Sequence, residues 1–377
     1  MTPVRILHVV RAGRADGGME NGIVNLLNRM DDRFAMSVCA LDSEETFSLK
    51  ISRPGVGYFT MPPRRPGIDW SLVGRLVSLI QRERIDIVHS HNWGTFIYAV
   101  LAGRLARIAI VHGEHGKNFL ELAPEGPAKR FAKKWLGRRT DLLLSVCEEI
   151  RGEWLARYGI APQGMRTIHN GVDSQRFAPA AAGEGRRALG LPPDAFVAGT
   201  VGRLDPIKNQ AALIQAVARL AVEVPALHAV FIGSGPLEKE LRNLADTLSL
   251  TDRVHFAGPR REVEQLLPAF DVFVLPSLSE GMSNVLLEAM SCGVPPVCSD
   301  LPSHHEIVTP GVDAILLRPC NEITLAETLR DLYRNPDARS RLAANARKTI
   351  VDRFSLERMV RDYEQVYVEI MSRRKAR

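Results

Sequence analysis

The residues best suited to chemistry are carboxylates, cations and histidines that follow short apolar runs. In SEGMSNVLLEAMSCGVP (279–295), Glu280 and Glu288 stand eight positions apart. The run DVFVLP ends just before them, and Gly281 delays the start of any helix. Ser283 or Asn284 suits an N-cap, and Val285, Leu286, Ala289 and Met290 supply a buried helical side. Glu280 then falls on a loop and Glu288 on the second helical turn. They are therefore not the facing acids that flank a scissile glycosidic bond. A carboxylate so placed can accept hydrogen bonds from two hydroxyls of a ribose or a sugar ring, although Glu288 also reads as a solvated helix glutamate. The N–H groups of Gly281, Met282, Ser283, Asn284 and Val285 surround the helix start, where anions are favoured.

Cations follow other runs. In VGRLDPIKNQ (201–210), Arg203 and Lys208 share one loop ahead of a helix. A planar guanidinium fork and a mobile ammonium both suit phosphate oxygens. In RAGRADGGMENG (11–22), Gly17 and Gly18 precede a helical stripe. They read either as a backbone approach to an anion or as a plain tight turn. FIGSGPLEKE (231–240) offers Gly-x-Gly but has Glu238 where the dinucleotide fingerprint needs its third glycine, so it reads either as a turn that brings backbone close to a ligand or as a simple turn. His112 and His115 follow the run IAIVH, which predicts a polar histidine in a ligand crevice. His89 and His91 read as packing or supporting residues. No Asp-x-Asp motif occurs, and no cysteine or carboxylate cluster joins the histidines, so no metal site is expected.

The elements that must position these residues alternate. Apolar runs at 4–10, 35–41, 85–89, 108–112, 142–146 and 166–170 read as buried parallel strands. A second series occupies 196–202, 228–233, 253–258, 271–276, 295–299 and 314–317, with helical patterns in the gaps. Twice-repeated alternation predicts an α/β protein of two doubly wound domains facing across a cleft, with ligands at the carboxyl ends of the strands. The Gly-, Ala- and Pro-rich stretch 171–190 marks the junction, giving domains 1–175 and 176–353.

Bulk properties narrow the class. A chain of 377 residues suits two domains. A net charge of +6 favours phosphates or an anionic surface and is too weak for a nucleic-acid partner. Five scattered cysteines fit a reducing cytoplasm and no disulfide framework. No apolar run nears the ~18–20 residues of a membrane span. Residues 128–139, AKRFAKKWLGRR, interleave six cations with Phe131, Trp135 and Leu136. That pattern reads as a helix able to lie on an anionic membrane, or as a solvated helix with one face inward.

Six segments in order, GGMENGIVNLLNRM, VHGEHGKN, IHNGVDSQRF, VGRLDPIKNQ, IGSGPLEKEL and SEGMSNVLLEAMSCGVPPV, resemble the retaining glycosyltransferases of family 4. The resemblance spans the chain and is similar to bacterial sugar transferases of exopolysaccharide and exosortase systems. It implies the GT-B fold, with a nucleotide-sugar donor domain at 176–353 and an acceptor-side domain at 1–175. The last helix, 354–377, would return to the acceptor side. Arg203 and Lys208 would hold the donor diphosphate, Glu288 the ribose and Glu280 the donor sugar. Backbone at 281–285 would face sugar and phosphates, Gly17 or Gly18 would approach the diphosphate, and Pro259 and Arg260 would border the base. His115 would stand near the sugar's C6 hydroxyl. Met282, Ser283 and Asn284 replace the Phe and Gly common at those places, which bears on donor-sugar identity.

The implied reaction is retaining transfer from a UDP- or GDP-sugar to a hydroxyl of a glycan or polyprenyl-linked acceptor. It would need no cofactor or metal and would run in the cytoplasm at the inner face of the membrane. A nucleotide-sugar epimerase on the same architecture, or a non-catalytic nucleotide-sugar-binding assembly partner, are the alternatives.

Overall fold

The computed structural model describes residues 2–12, 18–42, 50–62, 67–116 and 125–375. Gly17, 63–66 and 117–124 lie outside the described residues. The chain divides into two compact units at Asn170/Gly171, at the start of the GVDSQRF stretch, and unit 1 takes back Leu356 onward.

Unit 1 holds a seven-stranded parallel sheet. Its strands are β1 (Val4–Ala12), β2 (Phe34–Asp42), β3 (Gly57–Thr60), β4 (Ile87–His91), β5 (Ala109–Glu114), β6 (Leu142–Ser145) and β7 (Met165–Thr167), in the order β3-β2-β1-β4-β5-β6-β7. The predicted strands fall in place, but β3 adds one that the apolar runs did not mark. It is a four-residue edge strand, GYFT, with no buried position, so burial never imposed a continuous apolar pattern on it. One sheet face packs on the helices Gly18–Arg29 and Leu356–Lys375, through Ile23, Leu27, Val360 and Val366. The other packs on Ser71–Arg82, Trp93–Ala106 and Glu148–Tyr158, through Leu76, Phe96 and Trp154.

Unit 2 holds a six-stranded parallel sheet. It comprises β8 (Phe196–Val201), β9 (Leu227–Ile232), β10 (Val254–Gly258), β11 (Val272–Leu275), β12 (Pro296–Ser299) and β13 (Ile315–Leu317), ordered β10-β9-β8-β11-β12-β13. Both sheets are doubly wound: each runs one way from its first strand, then starts again on the other side. The reversal falls between β1 and β4 in unit 1 and between β8 and β11 in unit 2. Connections diverge at such a point, and the loops there are left uncovered for ligands.

The last helix is part of the unit 1 core. Leu356, Met359, Val360, Tyr363, Val366, Tyr367 and Ile370 are all buried. Each such side chain contributes about 1.5–3 kcal/mol on burial, against a domain stability of about 5–15 kcal/mol. A chain ending at Ser355 is therefore expected to lose the fold of unit 1. Hydrogen exchange would read this as lost amide protection in β1, β4 and β5 with β8, β9 and β11 still protected. Retained protection in β1 would contradict it.

Candidate active site

In unit 2 the loop after β8 lies beside the loop after β11, as the strand order demands. Lys208 Nζ meets Glu280 Oε1 at 2.6 Å, and Ser277 Oγ donates to the same oxygen at 2.6 Å. Ser277 is buried, and the Lys208 and Glu280 side chains are 21% and 11% exposed. Two residues separated by 72 positions are thus paired at the switch point, with the ammonium's remaining donors unassigned. Arg203 is different. Its Nε binds Asp205 Oδ2 at 2.7 Å while the side chain stays 63% exposed. Its two terminal nitrogens have no partner among the described residues, which leaves a fork of donors for an anion.

Backbone packing fixes this loop. Asp205 caps the short 3-10 turn Pro206–Lys208 by accepting from Ile207 N, and Gln210 Nε2 donates to Arg203 O at 2.8 Å. Leu204 N donates to Ser234 O at 3.0 Å and Leu237 N to Leu204 O at 3.1 Å. A Cβ on Gly233 would lie 2.0 Å from Gly202 O, and one on Gly235 would lie 2.3 Å from Leu204 O. The Gly-x-Gly therefore lets two loops touch main chain to main chain. Ser277, Asp205 and Gln210 were missed in the sequence; Asp205 before Pro206 carried the legible signal, that of an N-cap before an N1 proline.

The helix Asn284–Ser291 starts where expected, with Ser283 at its N-cap but no side-chain capping bond. Met282 and Ser283 are buried, and Gly281, Asn284, Val285 and Glu288 are half-buried. Leu287, not Val285, joins Leu286, Ala289 and Met290 on the buried side. Pro259 and Arg260 follow the edge strand β10 and are exposed; Arg260 engages Glu262 at 3.2 Å. No hydrogen bond or ion pair joins them to the Lys208–Glu280 pair among the described residues.

In unit 1 the helix Gly18–Arg29 begins at Gly18, and a crevice of about 10 Å³, room for one water, is lined by Gly18, Met19, His91, His115 and Tyr363 among others. A larger open groove of about 570 Å³, lined by Arg104, Trp135, Arg138 and Arg139, lies at the amino ends of β5 and β6, where strand-end chemistry is not expected. His115 is half-buried just past β5. Its N–H donates to Asn92 Oδ1 at 2.9 Å, and Asn92 holds φ 56° with ψ 170°, a region rare outside glycine. His112 departs from expectation. β5 runs on to Glu114, so His112 is buried within the strand, stacked on Phe96 at 3.6 Å and bonded to Ser90 Oγ at 2.8 Å.

His8, His89 and His91 surround the base of His115. Their nitrogens lie within 4.8 Å of one another. His8 Nδ1 meets His91 Nε2 at 2.9 Å and His91 Nδ1 meets His115 Nε2 at 2.9 Å. Around a tetrahedral zinc the nitrogens would stand about 3.4 Å apart, so these closer spacings are those of shared protons. A Cβ on Gly113 would lie 3.2, 3.3 and 3.4 Å from nitrogens of His115, His89 and His91, so any larger residue would press the three rings out of their places.

Burial holds these imidazoles neutral. It pulls His8 down to about 3 and, against the opposing charge of Glu114, His115 to about 4; it lowers His89 and His91 as well, with neighbouring histidines adding to the effect. In an unfolded chain each would titrate near about 6.5. Below that the unfolded state binds more protons, so stability rises with pH and is lost as pH falls. The unfolding midpoint of unit 1 in urea should therefore drop steadily from pH about 6.5 toward about 4. A midpoint flat across that window would count against the buried neutral cluster.

The basic segment forms the helix Pro127–Gly137, with Leu136 buried and Phe131 69% exposed. Lys133 turns inward, 3.1 Å from Glu125 and over the rings of Trp154 and Tyr158. It is not available to an outer surface, whereas Arg130, Lys134 and Arg138 are exposed. No helix among the described residues is long and apolar enough to cross a membrane.

Residues 16–176 match the sequence family described as Glycosyltransferase Family 4, and residues 183–349 match Glycosyl transferases group 1. The putative glycosyltransferase EpsD of Bacillus subtilis (strain 168) is 31% identical over 326 residues, covering 83% of this chain and 85% of that one. The UDP-Gal:alpha-D-GlcNAc-diphosphoundecaprenol alpha-1,3-galactosyltransferase of Escherichia coli is 31% identical over 310 residues, 78% of each chain. In fold, Anabaena Alr3699/HepE in complex with UDP is similar at a TM-score of 0.85, with 22% identity over 97% of this chain and 100% of that one. With two parallel sheets of this winding and these relatives, the chain belongs to the family 4 glycosyltransferases of the GT-B fold.

Proposed function

We propose that this glycosyltransferase is a retaining, metal-independent hexosyltransferase that takes a sugar from a nucleoside diphosphate, UDP before GDP. The acceptor is a hydroxyl on a glycan or polyprenyl-linked precursor of a bacterial surface polysaccharide. The observation that carries the reading is the Lys208–Glu280 pair beside the open fork of Arg203. Support for UDP and for a lipid-linked acceptor comes from similar proteins: one solved in complex with UDP, and one that is a diphosphoundecaprenol galactosyltransferase.

In the proposed reaction the diphosphate leaves as negative charge grows on its β-phosphate. Lys208 and Arg203 stabilise that charge, and so do the N–H groups at the start of the helix Asn284–Ser291. These donors are fixed before reaction, so no metal is required. Glu280 holds Lys208 and accepts from a donor-sugar hydroxyl, and Glu288 takes the ribose. The leaving phosphate assists deprotonation of the acceptor hydroxyl, which attacks from the same face. Exposed Phe131 with Arg130, Lys134 and Arg138 suits peripheral contact with an anionic inner leaflet.

Lys208→Ala is expected to lower kcat for transfer from a labelled UDP-sugar about 10²–10³-fold, with the circular dichroism spectrum unchanged. A folded variant with normal turnover would overturn the assignment. Incubation with labelled donor sugars, with and without glycan or polyprenyl-linked acceptors, separates the alternatives: isomerised donor without acceptor would mean an epimerase, and donor binding with no transfer even when acceptor is supplied a non-catalytic partner.

A further inference from the structure

The histidines beneath His115 form one continuous chain. Starting at His115, Nε2 meets His91 Nδ1 at 2.9 Å, and His91 Nε2 meets His8 Nδ1 at 2.9 Å. His8 Nε2 then meets the Tyr367 hydroxyl at 3.5 Å, and that hydroxyl meets His89 Nδ1 at 2.8 Å. The chain stops at His89 Nε2, which is buried and has no partner. The other end is His115 Nδ1, which has none among the described residues. Two strands, a turn and a helix contribute: β1, β4, the turn after β5, and the helix Leu356–Lys375.

A neutral imidazole carries one N–H, so the chain must run in one direction. If the protons point inward, His89 Nε2 carries a buried N–H with no acceptor. If they point outward, His89 Nε2 is a bare lone pair and every other N–H and O–H in the chain has an acceptor, up to His115. A third arrangement has both His8 and His89 donate to Tyr367; it strands the hydroxyl proton and leaves His89 Nε2 bare too. Orphaned buried donors are rarer and costlier than unsatisfied acceptors. The outward arrangement is the one that strands no buried donor, and it does so against the preference of each imidazole for the Nε2–H form.

From this geometry we infer that His8, His89, His91 and Tyr367 are positioning residues that lock His115 in the tautomer protonated at Nδ1. His115 then presents a hydrogen-bond donor, not an acceptor, to an oxygen of the bound sugar; that last step rests on the proposed function, while the tautomer does not. Burial keeps all four imidazoles uncharged at neutral pH, which the one-way chain requires. It also gives the C-terminal helix a second task beyond packing, since Tyr367 is the only non-histidine link.

Long-range proton–nitrogen correlation of the full-length protein labelled with ¹⁵N-histidine tests this at pH 7.5 or about one unit above the ordinary histidine value. The His115 signals are assigned by their loss in His115→Asn. The expected pattern is a protonated Nδ1 and a bare Nε2 at His115. A protonated Nε2, or both nitrogens protonated, overturns the inference. In His91→Leu, His115 should relax toward the Nε2–H tautomer that free imidazoles prefer, with kcat/KM for donor falling about tenfold; an unchanged tautomer there also overturns it. Should that variant not fold, the wild-type spectrum decides alone. The spectrum needs no substrate, so a wrong donor assignment leaves it intact and shows instead as absent transfer in the Lys208 assay.

Discussion

All-parallel winding is the constraint on which the rest depends. A parallel sheet needs a crossover for each strand, and a sheet that grows in both directions must reverse once. At that reversal two neighbouring strands send their chains to opposite sides, and the space beyond their carboxyl ends stays open. β8 and β11 are those neighbours in unit 2, so the loops bearing Lys208 and Glu280 must adjoin. β1 and β4 are those neighbours in unit 1, so Gly18, His91 and His115 end at one crevice.

Holding charged groups at such a point requires partners and stiffness. Glu280 neutralises Lys208, which keeps a half-buried ammonium from standing alone. Stiffness comes from the backbone. Gly202, Gly233 and Gly235 let the β8 and β9 loops share hydrogen bonds with no side chain between them, so the loop carrying Arg203 has little freedom to drift. A set of donors aimed in advance is what stabilises a leaving phosphate without reorganisation. In unit 1 the same economy appears in imidazoles that touch over Gly113 and fix one another's protons.

Much of this was legible. The strand runs were found because strands buried on both faces must be continuously apolar, and the alternation with helices then dictated the fold class. β3 escaped because an exposed edge strand has no such pattern. Arg203, Lys208, Glu280 and Glu288 stand out in the sequence as charged groups past strands, whereas Ser277, Asp205 and Gln210, which hold them, do not. His112 was placed in the wrong setting because β5 continues past it, and a strand's end cannot be read to the residue from an apolar run. Lys133 was read with its five basic neighbours, although a helix gives each residue its own direction and this one points at Glu125 and two aromatic rings.

His8 and Tyr367 mark the boundary between the two kinds of knowledge. By itself the sequence marks the buried strands, the amphipathic helices and the polar residues that follow them, because periodicity and turn chemistry are local. Only the tertiary structure decided which of those residues meet. His8 lies in the first strand and Tyr367 in the last helix, 359 positions apart, and each looks like an ordinary core residue in its own segment. Their joining depends on the order of strands in the sheet and on which helix covers which face. Those are set by burial summed over the whole unit, and no local pattern records them.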